Sequence, residues 1–112
     1  MGRVSYPAGM NTPDVLKAAA NAYKLLMENE KVRVMDIHLR PGEKAPMHNH
    51  PDDHVVYVVN NARFRLTFAD GKSNDVDLKT GQALWMEAGS HATENVGRTD
   101  GHNLVIEIKK SR

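Results

Sequence analysis

Three of the six histidines, His48, His50 and His54, fall within seven positions in the stretch GEKAPMHNHPDDHVVYVVNN, residues 42–61. Neutral imidazole is a ligand suited to Zn, Cu, Fe and Ni, and divalent Mn also accepts it. His48 and His50 are two apart, so on a strand their side chains leave the same face, roughly 6.5–7 Å apart along the chain. Two rings at that spacing can converge on one ion held at about 2.0–2.1 Å from each nitrogen. Pro51-Asp52-Asp53 is turn chemistry and can bring His54 back beside the pair. The plain alternative is a surface or core histidine at each position, and it is the spacing of the three that argues against it.

The elements that must position these rings are mostly strands. Thr12-Pro13-Asp14 reads as a helix start, with Thr12 as N-cap and Pro13 at the first helical position, so a short helix is expected over residues 12–22. From Tyr23 the period changes. YKLLM and VRVMDIHL read as two strands, the second with Met35, Ile37 and Leu39 on one face and Val34, Asp36 and His38 on the other. VVYVV has strand composition, and Asn60-Asn61 marks a tight turn in which Asn tolerates a positive φ. RFRLTF and SNDVDL form a hairpin about Asp70-Gly71, with Arg63 and Arg65 opposite Asp75 and Asp77 as solvated pairs. QALWM follows Gly81, and Glu87-Ala88-Gly89 turns the chain before His91. NLVIEI places Leu104, Ile106 and Ile108 on one face and Asn103, Val105 and Glu107 on the other. His38 and His102 are read as ordinary histidines, the latter in a loop beside Gly101. Many short strands with regular turns give an all-β sandwich or barrel.

With 112 residues the chain has the size of one domain. Residues 1–11 read as an irregular arm, 12–22 as the helix and 23–109 as the barrel. Lys+Arg 15 against Asp+Glu 14 leaves a net charge of +1, which argues against a nucleic-acid footprint. The basic tail, Lys109-Lys110-Ser111-Arg112, is expected to be frayed and solvated. No cysteine is present, so disulfides and thiolate metal sites are excluded. No apolar run approaches a transmembrane length, and a cytoplasmic location without a membrane partner is expected.

Gly42, His48 and His50 fall on a pattern of Gly, five residues, His-x-His, three residues, a carboxylate, six residues and Gly; His54 stands at the carboxylate and Asn61 at the closing Gly. In GQALWMEAGSHATEN, Gly81, Gly89, His91 and Asn95 match a second pattern, with Glu87 at its Pro and one residue fewer before the His. Together the two motifs resemble those of the cupin superfamily, in particular its small single-domain members. The resemblance implies a small antiparallel jelly-roll barrel with a short N-terminal helix. It also implies that His91 joins His48, His50 and His54 on one divalent transition metal, with Fe, Mn, Zn, Ni and Cu all open. Asp52, Asp53 and Asn95 are candidates to steady the ligands through their other ring nitrogens. Met47, Val56, Val58, Phe64, Leu66, Phe68, Trp85 and Met86 are the pool for the cavity wall, and Glu87 and Glu107 are the acid/base candidates.

The function this implies is a metal-dependent enzyme acting on a small oxygen-bearing organic molecule, by dioxygenase-like or by Lewis-acid isomerase or lyase chemistry. The alternatives are a non-catalytic module that binds or senses a small ligand or metal, and a plain structural barrel. A homodimer is expected, paired through the arm and the YKLLM strand, because an unpaired edge strand is an aggregation liability.

Overall fold

A computed structural model describes residues 12–110, so the arm expected over residues 1–11 lies outside the described part. Among the described residues one helical turn, α1 (Val15–Ala18), precedes nine strands. They are β1 (Tyr23–Glu28), β2 (Val32–Leu39), β3 (Lys44–His50), β4 (His54–Val58), β5 (Ala62–Phe68), β6 (Ser73–Leu78), β7 (Ala83–Met86), β8 (Gly89–Asn95) and β9 (Gly101–Ile108). One sheet has the order β1-β2-β9-β4-β7 and the other β3-β8-β5-β6. Every paired strand is antiparallel. The result is a two-sheet jelly roll with its core between the sheets: the alternating strands predict an all-β sandwich or barrel, and the jelly roll is what the resemblance implies.

Period-two patterning explains the core. Met35, Ile37 and Leu39 of β2 are all buried, as are Phe64 of β5 and Val56 and Val58 of β4. On β9 the sequence leaves open which face is inward. The inward face is Asn103, Val105 and Glu107, while Ile108 is 41% exposed. Two polar side chains thereby enter the interior. Glu107 is tolerated there because it meets Arg33 of the adjacent β2.

The helix differs from expectation. Its cap is Asp14, whose Oδ2 accepts the Leu16 N–H at 3.1 Å, and it stops at Ala18. Pro13 does not open the helix, because its carbonyl accepts the Asn49 N–H at 2.8 Å and ties it to β3. His102 is not a loop residue either. It lies in β9, bonded to Asp36, with its ring 5.7 Å from His38 across the strand pair. Lys109 is likewise no frayed end, since its Nζ donates to Glu28 at 2.6 Å; Ser111 and Arg112 of the expected tail lie outside the described residues. Asn61 works through its side chain, whose Oδ1 accepts the Thr80 N–H at 2.7 Å. The pairs Arg63–Asp77 and Arg65–Asp75 form as read, at 2.7 and 2.8 Å. Among the described residues no helix is long and apolar enough to cross a membrane.

Gly101 marks a close approach between the sheets. A Cβ there would lie 2.2 Å from Cε1 of the buried Phe64 ring. Gly101→Ala is expected to destabilise the fold by about 1–3 kcal/mol through overpacking. Urea unfolding should show a lower midpoint at unchanged slope; an unchanged midpoint would mean that Phe64 moves aside at no cost.

Candidate metal centre

His48 and His50 close β3 on its inward face, and both are fully buried. β3 pairs with β8 so that His48 stands directly opposite His91. The opposite sheet supplies His54, the first residue of β4, which the 51–53 turn brings back over His50. Ring centroids are 4.9 Å apart for His48–His50, 4.8 Å for His48–His91 and 4.9 Å for His50–His91. One nitrogen from each of these three rings lies within 4.8 Å of the other two, an arrangement that could hold a metal ion. His54 stacks on His50 at 4.3 Å but is not within that triangle.

Hydrogen bonds fix which nitrogen is available on His48, His50 and His54. His48 Nδ1 lies 2.6 Å from the Pro46 carbonyl and His54 Nδ1 lies 3.0 Å from the Asp52 carbonyl. A carbonyl only accepts, so each Nδ1 carries the proton and leaves a lone pair on Nε2. His50 Nδ1 donates to Glu107 Oε2 at 2.8 Å. The Nε2 atoms of His48 and His50 are both buried with no hydrogen-bond partner in the protein. Buried polar atoms are nearly always satisfied. Two unsatisfied lone pairs converging from rings held by their opposite nitrogens fit a divalent cation.

Glu107 belongs to a longer chain of charges. Arg33 Nε donates to its Oε1 at 2.8 Å, and the Arg33 fork holds both oxygens of Asp14 at 3.0 Å. The cap of α1 is thus connected through Arg33 and Glu107 to His50. Burial raises the Glu107 carboxyl, and Arg33 opposes that rise. Neither Asp14 nor Arg33 was singled out in the sequence as a site residue; both precede the motifs. Among the expected supports, Asp52 serves through its carbonyl. Asp53 instead accepts the Ala88 N–H, and Asn95 bonds the Leu39 and Thr99 carbonyls. Glu87 is exposed on the turn between β7 and β8.

Burial, reinforced by the neighbouring rings, pushes His50 and His91 down to about 2 and also lowers His48. All three rings are therefore neutral donors at neutral pH. The unfolded chain binds protons near pH 6.5 that the folded one refuses. Stability of the metal-free protein should therefore fall as pH drops below about 6.5, by about 1.4 kcal/mol per pH unit for each of His50 and His91. Urea midpoints of chelator-treated protein at pH 7, 6 and 5 measure this. Midpoints that stay level would mean that these rings are not buried neutral.

Beside the cluster lies a cavity of about 230 Å³ bounded by both sheets. Val56, Phe64, Leu66, Trp85 and Met86 line it as expected, and His54 and His91 form its polar end. Of the remaining pool, Val58 is core and Phe68 lines an adjoining outer concavity with Glu87, which shares Trp85, Met86 and His91 with the cavity; Met47 lines neither. Tyr23, Thr93 and Asn103 also line the cavity and were not anticipated. Tyr23 packs edge-on against His48 at 5.2 Å and His50 at 5.9 Å. Burial and then the Glu107 charge raise its phenol, so it stays protonated.

Comparison with known proteins agrees with this architecture. No curated protein matches the chain significantly. Among solved structures, a cupin domain from Bordetella pertussis Tohama I is similar over 91% of this chain and 100% of its own, at 26% identity and a TM-score of 0.73. A cupin family protein with a double-stranded β-helix fold from Methanocaldococcus jannaschii matches 77% of each chain at 18% identity and a TM-score of 0.64. A double-stranded β-helix protein from Klebsiella pneumoniae matches 76% of this chain and 73% of its own, at 20% identity and a TM-score of 0.63. The family model described as "Cupin domain" matches residues 35–107, which hold His48, His50, His54, His91 and Glu107. The chain belongs to the cupin domain family.

Proposed function

We propose that the protein binds one divalent transition metal through His48, His50 and His91, with His54 as a fourth donor, and acts on a small oxygen-bearing organic molecule in the adjoining cavity. The observation that carries this is the pair of buried, unpartnered Nε2 atoms on His48 and His50. Four neutral imidazoles would leave a divalent Fe, Mn, Zn, Ni or Cu ion at +2, so it would polarise an anionic oxygen donor or support oxygen chemistry. The chain's own residues do the rest. Pro46, Glu107 and the Asp52 carbonyl hold three rings in one tautomer. The Tyr23 phenol is a donor that stays protonated beside the rings, and the cavity wall is mostly apolar. Glu107 has both oxygens engaged and acts as a positioning residue; Glu87 stands at the outer rim.

No carboxylate, lysine or arginine lines the cavity among the described residues, which favours a second reading: a module that binds a metal and ligand without turnover. The discriminating experiment loads the protein with iron, manganese or zinc and screens small carbonyl compounds with and without oxygen. Turnover with zinc in the absence of oxygen eliminates the dioxygenase reading. No turnover with any metal supports the binding module.

A homodimer forms part of the proposal. The sheet ends in β1, whose Leu25, Leu26 and Met27 are 42–49% exposed, and pairing with a second copy would cover them. Light scattering should give twice the 12.5 kDa chain mass; a single-chain mass across a wide concentration range would remove the dimer.

A further inference from the structure

The deep end of the cavity holds a polar group that nothing in the fold uses. Asn103 lies on the inward row of β9 with 3% exposure, and it lines the cavity. Its Oδ1 is buried with no hydrogen-bond partner. Its neighbours across β2 and β4 are Ile37 and Val58, both buried and apolar, so its own sheet offers no side-chain donor. Leucine has nearly the same shape and would fill the position without an unpaired acceptor. The asparagine is therefore a cost to the empty fold.

The inward row of β9 also gives distance and direction. Glu107 holds His50, Val105 follows, and Asn103 comes next on the same face. Two steps of two residues place Asn103 about 13 Å along the backbone from Glu107. Between the histidine end and Asn103 the wall is mostly apolar, with Val56, Phe64, Leu66, Val76 and Leu84, and it also carries the Tyr23 phenol and the Thr93 hydroxyl. The volume, about 230 Å³, is below the roughly 300–1,000 Å³ of sites for drug-sized ligands.

We propose that Asn103 is a specificity-determining residue: its Oδ1 receives a hydrogen-bond donor, a hydroxyl or N–H, on the far end of a small ligand with an apolar middle. Which end of the ligand faces the histidines rests on the proposed metal site; the acceptor role of Asn103 does not. A ligand lacking the donor buries the amide oxygen unpaired and is rejected, which is how a mostly apolar pocket discriminates by a polar group.

The test uses hexanoate and 6-hydroxyhexanoate, which differ by the terminal hydroxyl. Trp85, the single tryptophan of the chain, lines the cavity and reports binding by fluorescence. Titrations are run on metal-free and on zinc-loaded protein. The wild type is expected to bind 6-hydroxyhexanoate at least about threefold more tightly than hexanoate, within the range of a net hydrogen bond. In Asn103→Leu the preference should vanish or invert, and the melting temperature should rise. Asn103→Ala, should the leucine variant fail to fold, must lose the preference in the same way. The same preference in variant and wild type overturns the proposal. So does a preference for hexanoate in the wild type, no binding of either probe at millimolar concentration, or a lower melting temperature for Asn103→Leu. A hydroxyl preference that depends on Asn103 with no gain from zinc counts against the metal reading alone. A gain from zinc without the preference counts against Asn103 alone.

Discussion

His50→Ala is expected to lower the affinity for a divalent transition metal by at least about a hundredfold, beyond the roughly 10–100-fold typical of losing a supporting group. His50 combines a buried, unpartnered Nε2 with an Nδ1 locked on Glu107. Removing the ring removes a donor and leaves Glu107 without one of its partners. His48→Ala and His91→Ala should match it, because the three nitrogens form one triangle. His54→Ala separates a four-donor from a three-donor site: a large loss makes His54 a ligand, and a small one leaves it as a stacking partner of His50. His38→Ala and His102→Ala should change nothing, since those rings sit on the opposite face with Asp100 and Asp36. Competition for zinc against a chelator of known affinity gives all six values.

The largest stability effect is expected at Arg33. Its guanidinium is the cationic partner of the buried Glu107 and also holds Asp14. Arg33→Met strands a carboxylate that is 1% exposed, and removing one partner of a buried ion pair costs about 3–5 kcal/mol. Adding Glu107→Gln should recover much of that loss, because the stranded charge is then gone. The same Glu107→Gln change in an otherwise wild-type chain should weaken metal binding about 10–100-fold, through the loosened grip on His50. Urea unfolding of the two single variants and the double variant tests the coupling. Additive losses would show that Arg33 and Glu107 do not act as a pair.

Much of the fold was legible because period-two patterning survives wherever one face is buried. Met35, Ile37 and Leu39 on β2 show this, as do the Arg63–Asp77 and Arg65–Asp75 pairs on the outer face. The motif glycines Gly42, Gly81 and Gly89 all have positive φ, from 86° to 147°, so their spacing encodes backbone turns and not only ancestry. The helix was misread because a local rule, Thr-Pro at a helix start, competed with a tertiary tie. Asp14 is drawn to Arg33 and Pro13 to Asn49, which leaves only one turn free to coil. Arg33, Tyr23 and Asn103 were invisible as site residues for a related reason. Each reaches the site through strand register, β1 on β2 on β9, and no short motif records register.

The Nε2 atoms of His48 and His50, with one ring nitrogen of His91, are proposed to take one metal ion. Imidazole ¹⁵N resonances, followed while zinc is added to chelator-treated protein, read this out ring by ring. The Nε2 signals of His48 and His50 and one ring-nitrogen signal of His91 should shift together and stop shifting at one equivalent. The Nδ1 signals of His48 and His50 should stay in the protonated form, and those of His38 and His102 should not move. Shifts confined to His38 and His102, or no saturation near one equivalent, would mean that His48, His50 and His91 do not share an ion.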